Sequence, residues 1–447
     1  MRIFALPLLL ACSCGSAWAE TPRSSQAPPV PVAITATAES VYNVARPKLL
    51  QIRTLVGGTG RQSSIGSGFV VTADGLAVTN YHVVSQYALE PATYRMEYAA
   101  PDGSVGSIQL VAIDVINDLA VVRLQSSGLP FFQFNPRSLE GSLPKGERIY
   151  SMGNPLDLGF TIVEGTYNGF VERSYNERIH FSGSLNPGMS GGPAVTVDGR
   201  VVGINVAKRL SGEQVSFLVP ARFAAAMLEK AREGEALEPE TARKEISRQL
   251  GAWQSGLYRA MSEQGLRRST LGPYLAPESA APWFTCWSRT NAAEIPKPRA
   301  LVNSTDCNTE TSLFVSGDVV TGSVSFKNSH VQAVDLNAFQ FANYLSAHSR
   351  LGRAGRSGGK RHTSERCHEG FVTNGGGDEG AERPVVRAVW CARAYREFDD
   401  LYDVSVTLVT QDRDKEALVS RLGMTGVSYE NALALGKSFL GAVEWAK

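Results

Sequence analysis

With 447 residues, 43% of them hydrophobic and only 19% charged, the chain has ample apolar material for packed cores and too little charge to remain disordered. Forty-four Lys and Arg balance 43 Asp and Glu to a net charge of +1, which removes the electrostatic basis for a polyanion partner, so no nucleic acid is expected. At roughly 150 residues per domain the length allows two or three domains.

Arg2, the apolar run from Ile3 to Ala11 and the small-residue ending Ala17-Trp18-Ala19 have the layout of an export signal over residues 1–19, cleaved before Glu20. A competing reading takes Leu9-Leu10-Ala11-Cys12 as a lipobox that would lipidate Cys12, although Leu10 fits it poorly. Both readings export the chain, to a periplasmic or secreted location. No later segment reaches the ~18 apolar residues of a membrane-spanning helix, so no integral span is expected. Residues 20–32, rich in Pro and Ser, read as a flexible leader.

From Leu49 to Val219 the chain is a succession of short β-branched and aromatic runs broken by glycine-bearing turns. Asp74-Gly75 and Asp198-Gly199 stand between such runs, where a tight hairpin requires positive φ. This pattern predicts an all-β region of barrel or sandwich type over residues 33–235. Three segments in it carry chemistry. Thr79-Asn80-Tyr81-His82-Val83-Val84 holds a lone histidine after a strand, and Asn117-Asp118-Leu119-Ala120 puts an aspartate at the head of another. Asn186-Pro187-Gly188-Met189-Ser190-Gly191-Gly192-Pro193 sets a serine on a glycine-rich turn, where neighbouring backbone N–H groups can converge on one point as an oxyanion hole requires. The chain order His82, Asp118, Ser190 is that of chymotrypsin-type proteases and not of subtilisins or α/β-hydrolases. Asp114 is the rival aspartate; the strand directly after Asp118 favours Asp118.

These segments, with Gly66-Ser67-Gly68-Phe69, Gly153-Asn154-Pro155, Gly203-Ile204-Asn205 and Phe217-Leu218-Val219-Pro220, resemble the blocks of the trypsin-fold serine proteases, HtrA/DegP-like bacterial branch, over about residues 41–230. The resemblance implies an all-β double barrel with the active site between the barrels. It also implies that Ser190 is the nucleophile, His82 the general base and acid, and Asp118 the group that orients and stabilises the imidazole. Gly188 and Ser190 would supply the oxyanion-hole N–H groups. By position, Ser184, Asn205 and Ala207 should line the primary specificity pocket. That pocket holds no acidic residue, which disfavours Arg or Lys and suggests a small or medium aliphatic residue. Met189 and Ser182 depart from the family's usual Asn and Asp.

Beyond the helix expected from Ala221 to Arg232, the apolar residues Ile246, Leu250, Trp253, Leu257 and Met261 recur every three or four positions and predict a helical linker over 236–270. Residues 271–447 read as an α+β domain. Strands are expected around Ser316-Gly317-Asp318 between Leu301 and Phe326, at Val385 to Tyr395 and at Tyr402 to Val409. Helices are expected at Asp335 to Leu351 and at Tyr429 to Trp445, with a solvated loop from Gly352 to Arg383. The glycine-hydrophobic-glycine loop of the PDZ domain usual in HtrA relatives has no match here. Cys286, Cys307, Cys367 and Cys391 fit two disulfides in an exported chain, with local pairing of the first two and the last two expected. A zinc site built from them with His362 or His368 is the weaker alternative, because Cys-x-x-Cys knuckles are missing. No metal and no cofactor is therefore expected. The expected function is an exported serine endopeptidase acting on protein or peptide substrates, in envelope quality control or processing. The alternative is a protease-fold binding or chaperone-like protein with little proteolysis. A homo-oligomer stays open.

Overall fold

The computed structural model describes residues 36–206, 215–232, 234–349, 356–372 and 384–446. The export signal, the leader, Cys12 and Ala207 lie outside the described residues.

Helix α1 (Ala36–Ala45) leads into strands β1 (Leu49–Val56), β2 (Gln62–Val70) and β3 (Leu76–Thr79). Helix α2 (Tyr81–Leu89) follows, and then β4 (Tyr94–Ala99), β5 (Val105–Asp114) and β6 (Leu119–Leu124). These six antiparallel strands close into a barrel in the order β1-β2-β3-β6-β5-β4. The Asp74-Gly75 turn works as its sequence requires: Gly75 takes φ +96, and the Thr72 hydroxyl accepts the Leu76 N–H at 2.9 Å. A short helix α3 (Pro136–Leu139) precedes β7 (Arg148–Gly153), β8 (Thr161–Phe170), β9 (Ile179–Phe181), β10 (Pro193–Val195), β11 (Val201–Val206) and β12 (Ser216–Pro220). They close a second barrel in the order β10-β11-β12-β9-β8-β7. Closure leaves neither barrel with an open edge. Helix α4 (Ala221–Ala231) seats Ala224, Met227 and Leu228 in a core shared with Phe69, Val121 and Val219, so it seals both barrels at once.

Helix α5 (Pro239–Gln264) belongs to two cores. Its Ala242, Ile246 and Leu250 pack with the first barrel, while Leu257, Tyr258 and Met261 pack with the C-terminal region. Gly265, at φ +73, ends it, and the chain continues directly as strand β13 (Leu266–Leu271). The expected helical linker is therefore shorter than 236–270 and is a shared structural member. Strand β14 (Tyr274–Ser279) pairs with β13, and next come β15 (Phe284–Thr290) and β16 (Ala300–Thr309). A separate two-stranded hairpin, β17 (Leu313–Ser316) and β18 (Val319–Thr321), precedes β19 (Val324–Ala333) and helix α6 (Ala338–Ser349). The remaining elements are β20 (Arg366–Val372), β21 (Val386–Ala394), β22 (Tyr402–Thr410), β23 (Glu416–Val427), α7 (Tyr429–Gly441) and β24 (Glu444–Trp445).

Seven of these strands form one antiparallel sheet in the order β15-β16-β19-β23-β22-β21-β20. Phe439 of α7 meets Phe326 at 6.1 Å over this sheet, and Phe341 and Leu345 of α6 share a second core with Val331, Val409 and Val419. Two expectations change here. The final helix stops at Gly441, because Glu444 and Trp445 pair with Leu275 and Tyr274, whose ring stacks on Trp445 at 4.9 Å. Within the expected Gly352 to Arg383 loop, Arg366–Val372 is an edge strand bonded to β21, and 373–383 lie outside the described residues.

Candidate active site

His82 stands in the first turn of α2, after Asn80 in extended conformation (φ −84°, ψ 150°). Backbone N–H groups in a first helical turn have no partner inside the helix. Here the His82 N–H donates to Asp118 Oδ1 at 2.9 Å, while the imidazole Nδ1 meets Asp118 Oδ2 at 2.7 Å. One carboxylate thus grips both the backbone and the ring of the same residue, which fixes the ring's direction, and a negative charge at a helix N-terminus is favourable. Asp118 is held in the left-handed region at φ +60 on the turn before β6, a conformation aspartate tolerates better than most residues. The Asn80 amide donates to its carbonyl at 2.7 Å.

Asp114 has a different task. Its carboxylate accepts the Asn117 backbone N–H at 2.9 Å and side-chain amide at 2.7 Å, which caps the β5–β6 turn. Behind both carboxylates lies Arg178, a residue with no role in the sequence reading. It reaches from the second barrel to donate to the Ile116 carbonyl at 3.3 Å. Burial lowers its guanidinium pKa, and the charges of Asp118 and Asp114 oppose that. The only sequence signal for it is an arginine heading the apolar strand β9.

Ser190 is buried in the turn before β10. Ser67 of β2 fastens that turn to the first barrel. Its N–H donates to the Ser190 carbonyl at 2.7 Å, its hydroxyl donates to the Gly188 carbonyl at 2.7 Å, and the same hydroxyl accepts the Asn154 N–H at 2.9 Å. This gives the Gly66-Ser67-Gly68 block a physical reason that spacing alone could not supply. At Gly191, with φ +85, a side chain would run into the Ser67 carbonyl, and one at Gly192 would strike the Met152 carbonyl. Both positions demand glycine.

Asn205, expected among the pocket-lining residues, is fully buried. Its amide donates to the carbonyls of Met152 at 2.8 Å and Met189 at 3.1 Å, and its Oδ1 accepts the Ser151 hydroxyl at 2.7 Å. Its side chain braces the Ser190 turn from below and offers no surface to a ligand. Ser184 is exposed in the segment leading to that turn, and Ala207 lies outside the described residues. Met189 is fully buried, and the exposed Ser182 accepts the Thr166 N–H at 3.1 Å.

In the C-terminal region Cys286 and Cys307 face each other across β15 and β16 with sulfurs 2.07 Å apart. Cys367 and Cys391 do the same across β20 and β21 at 2.04 Å. Glu365 lies near the second pair, whose sulfurs are engaged with each other, so this grouping offers a metal little beyond one carboxylate.

Residues 66–204 match the family model described as "Trypsin-like peptidase domain". Among curated proteins the chain is similar to "Putative serine protease HhoB" of Synechocystis sp., at 31% identity over 172 residues, 37% of this chain and 39% of that one. It is also similar to "Probable periplasmic serine endoprotease DegP-like" of Chlamydia muridarum, at 31% over 152 residues, 33% of this chain and 29% of that one. The matched part thus spans well under half of these relatives. Among solved structures, the serine endoprotease from Yersinia pestis aligns with 25% identity and a TM-score of 0.38, covering 44% of this chain and 67% of that one. The stretch that matches the trypsin-like peptidase model runs from β2 to β11 and so spans both closed barrels. Over this part the chain is also similar to "Serine protease HTRA2, mitochondrial" of Bos taurus, at 34% identity over 173 residues, 36% of this chain and 35% of that one.

Proposed function

We propose that the protein is an exported serine endopeptidase that cleaves peptide bonds through an acyl-enzyme. The observation that carries this reading is the two-point hold of Asp118 on His82, beside a serine turn that Ser67 bolts across the barrel interface. In it the Ser190 hydroxyl attacks the scissile carbonyl and passes its proton to His82. Asp118 stabilises the imidazolium that forms, and His82 then hands the proton to the leaving amine. The N–H groups of Gly188, at φ +94, and Ser190 bind the tetrahedral oxyanion. The periplasmic and serine-protease names of the relatives support placement in the cell envelope and a role in protein quality control or processing there.

The test is covalent labelling of the purified protein with a fluorophosphonate, together with digestion of unfolded casein. The wild type is expected to label and to digest, and Ser190→Ala to do neither. A wild type that does neither would favour the binding or chaperone-like reading. Profiling the same enzyme on a peptide library is expected to show aliphatic residues before the cleaved bond, and dominance of Arg or Lys there would overturn that preference.

A further inference from the structure

The β17–β18 hairpin leaves the C-terminal sheet and lies against the catalytic helix of the first barrel. Leu313, Val315 and Val319 enter the first barrel's core together with Val83 and Val84. The hairpin register shifts between Phe314 and Ser316, which leaves Val315 without a cross-strand partner. Its carbonyl instead accepts the hydroxyl of Tyr81, the fully buried neighbour of His82, at 2.9 Å. Bulges of this kind re-aim the side chains next to them. Phe314 points to the other side of the strand, where its ring stands edge-on to the His82 imidazole, 77° between planes and 6.0 Å between centroids. Val320 pairs directly with Phe314, so it shares that face, and it is 57% exposed.

A half-buried aromatic, packed at the margin of the first barrel's core, and an exposed valine thus stand side by side on the hairpin face that meets the imidazole. Val320 enters none of the buried clusters, so its exposure beside Phe314 leaves an apolar surface next to the imidazole.

We infer that this face is a substrate subsite: Phe314 and Val320 form the wall beside His82 and receive an apolar side chain of an extended polypeptide at one position flanking the scissile bond. The C-terminal module would then be part of the substrate cleft and would share in setting specificity. This rests on the proteolytic reading proposed above. Contact with a flat aromatic edge and a β-branched methyl pair favours aliphatic and aromatic side chains over glycine or charged ones.

The test uses the full mature chain with Phe314→Ala and Val320→Ser. The second substitution sits at an exposed position and leaves the hairpin's buried face intact. Fluorogenic peptides varied at each position flanking the cleaved bond give kcat/KM profiles, and fluorophosphonate labelling of Ser190 reports on the catalytic groups separately. Expected is a drop of about tenfold or more in Phe314→Ala, and a smaller one in Val320→Ser, for peptides with an apolar residue at a single position. Peptides with glycine there, and the labelling rate, should stay within about twofold. A labelled enzyme whose profile does not move, or moves equally for all peptides, overturns the inference and leaves the proteolytic reading standing. A wild type that fails to label overturns that reading and the subsite with it.

Discussion

Asp118 holds His82 through two different atoms, and the proposed proteolysis depends on both. Asn at this position keeps a carbonyl oxygen for the His82 N–H but can neither carry the charge that stabilises an imidazolium nor enforce the tautomer. Asp118→Asn is expected to lower kcat by roughly 10³–10⁴-fold near neutral pH with a nearly unchanged melting temperature, measured on a fluorogenic peptide and by thermal unfolding. The candidate histidine, aspartate and serine can be picked out of the sequence because each stands in a local pattern: a strand end, a strand start, a glycine turn. Arg178 and the bracing role of Asn205 cannot. Apart from the Ser151 hydroxyl, their partners, the Ile116 carbonyl and the carbonyls of Met152 and Met189, are backbone groups brought near only by the folded chain. Nothing in the identity of those residues announces a bond to their main chain.

Among the elements, α5 has the most to hold together. One face of a 26-residue helix contributes to the first barrel's core through Ile246 and Leu250 and to the sheet's core through Leu257 and Met261. Ile246 is fully buried, so Ile246→Ala is expected to destabilise the chain by about 2–5 kcal/mol, read as a lower urea midpoint. The periodicity of α5 is written in its sequence, and so are the barrel strands, whose Asp-Gly turns mark the hairpins. Strand β23 is harder to see along the chain. It lies at the centre of the sheet, yet Ser420, Arg421 and Gly423 interrupt its apolar run, and Ser420 is fully buried all the same. The β17–β18 hairpin reads as a pair of ordinary strands around Ser316-Gly317-Asp318, and only the folded chain reveals that its partner is the helix bearing His82.

At the scale of the whole molecule, the module is held to the first barrel by charge as well as by apolar packing. Glu90, at the end of α2, meets Lys360 at 2.6 Å and Arg361 at 2.5 Å, and Arg361, itself buried, also pairs with Glu397. The hydrogen bond from Lys360 leads in holding the Glu90 carboxyl below the usual carboxylate range, joined by the charges of Lys360 and Arg361, while partial burial opposes them. A depressed pKa in the folded state stabilises the fold at every pH above the ordinary glutamate value of about 4.3 and stops doing so as pH falls through the lower, folded value. Glu90→Gln is therefore expected to lower the melting temperature at pH 7. The gap to wild type should shrink as the pH is taken from about 5 to about 3, followed by calorimetry across that range.

The Tyr81–Val315 contact joins residues 234 positions apart, and Thr321 at the hairpin's far end bonds to Tyr395, which in turn bonds to Asp403. A chain made from its N-terminus completes both barrels and His82's helix long before any of these partners exists, and domains fold largely in that order. The region around His82 is consequently finished in two stages: the proposed reactive groups are encoded early, and the hairpin beside them arrives only with later strands. A prematurely terminated product would carry His82, Asp118 and Ser190 without the hairpin beside them, so on the proposed reading only a chain translated past the hairpin presents the full surface to a substrate.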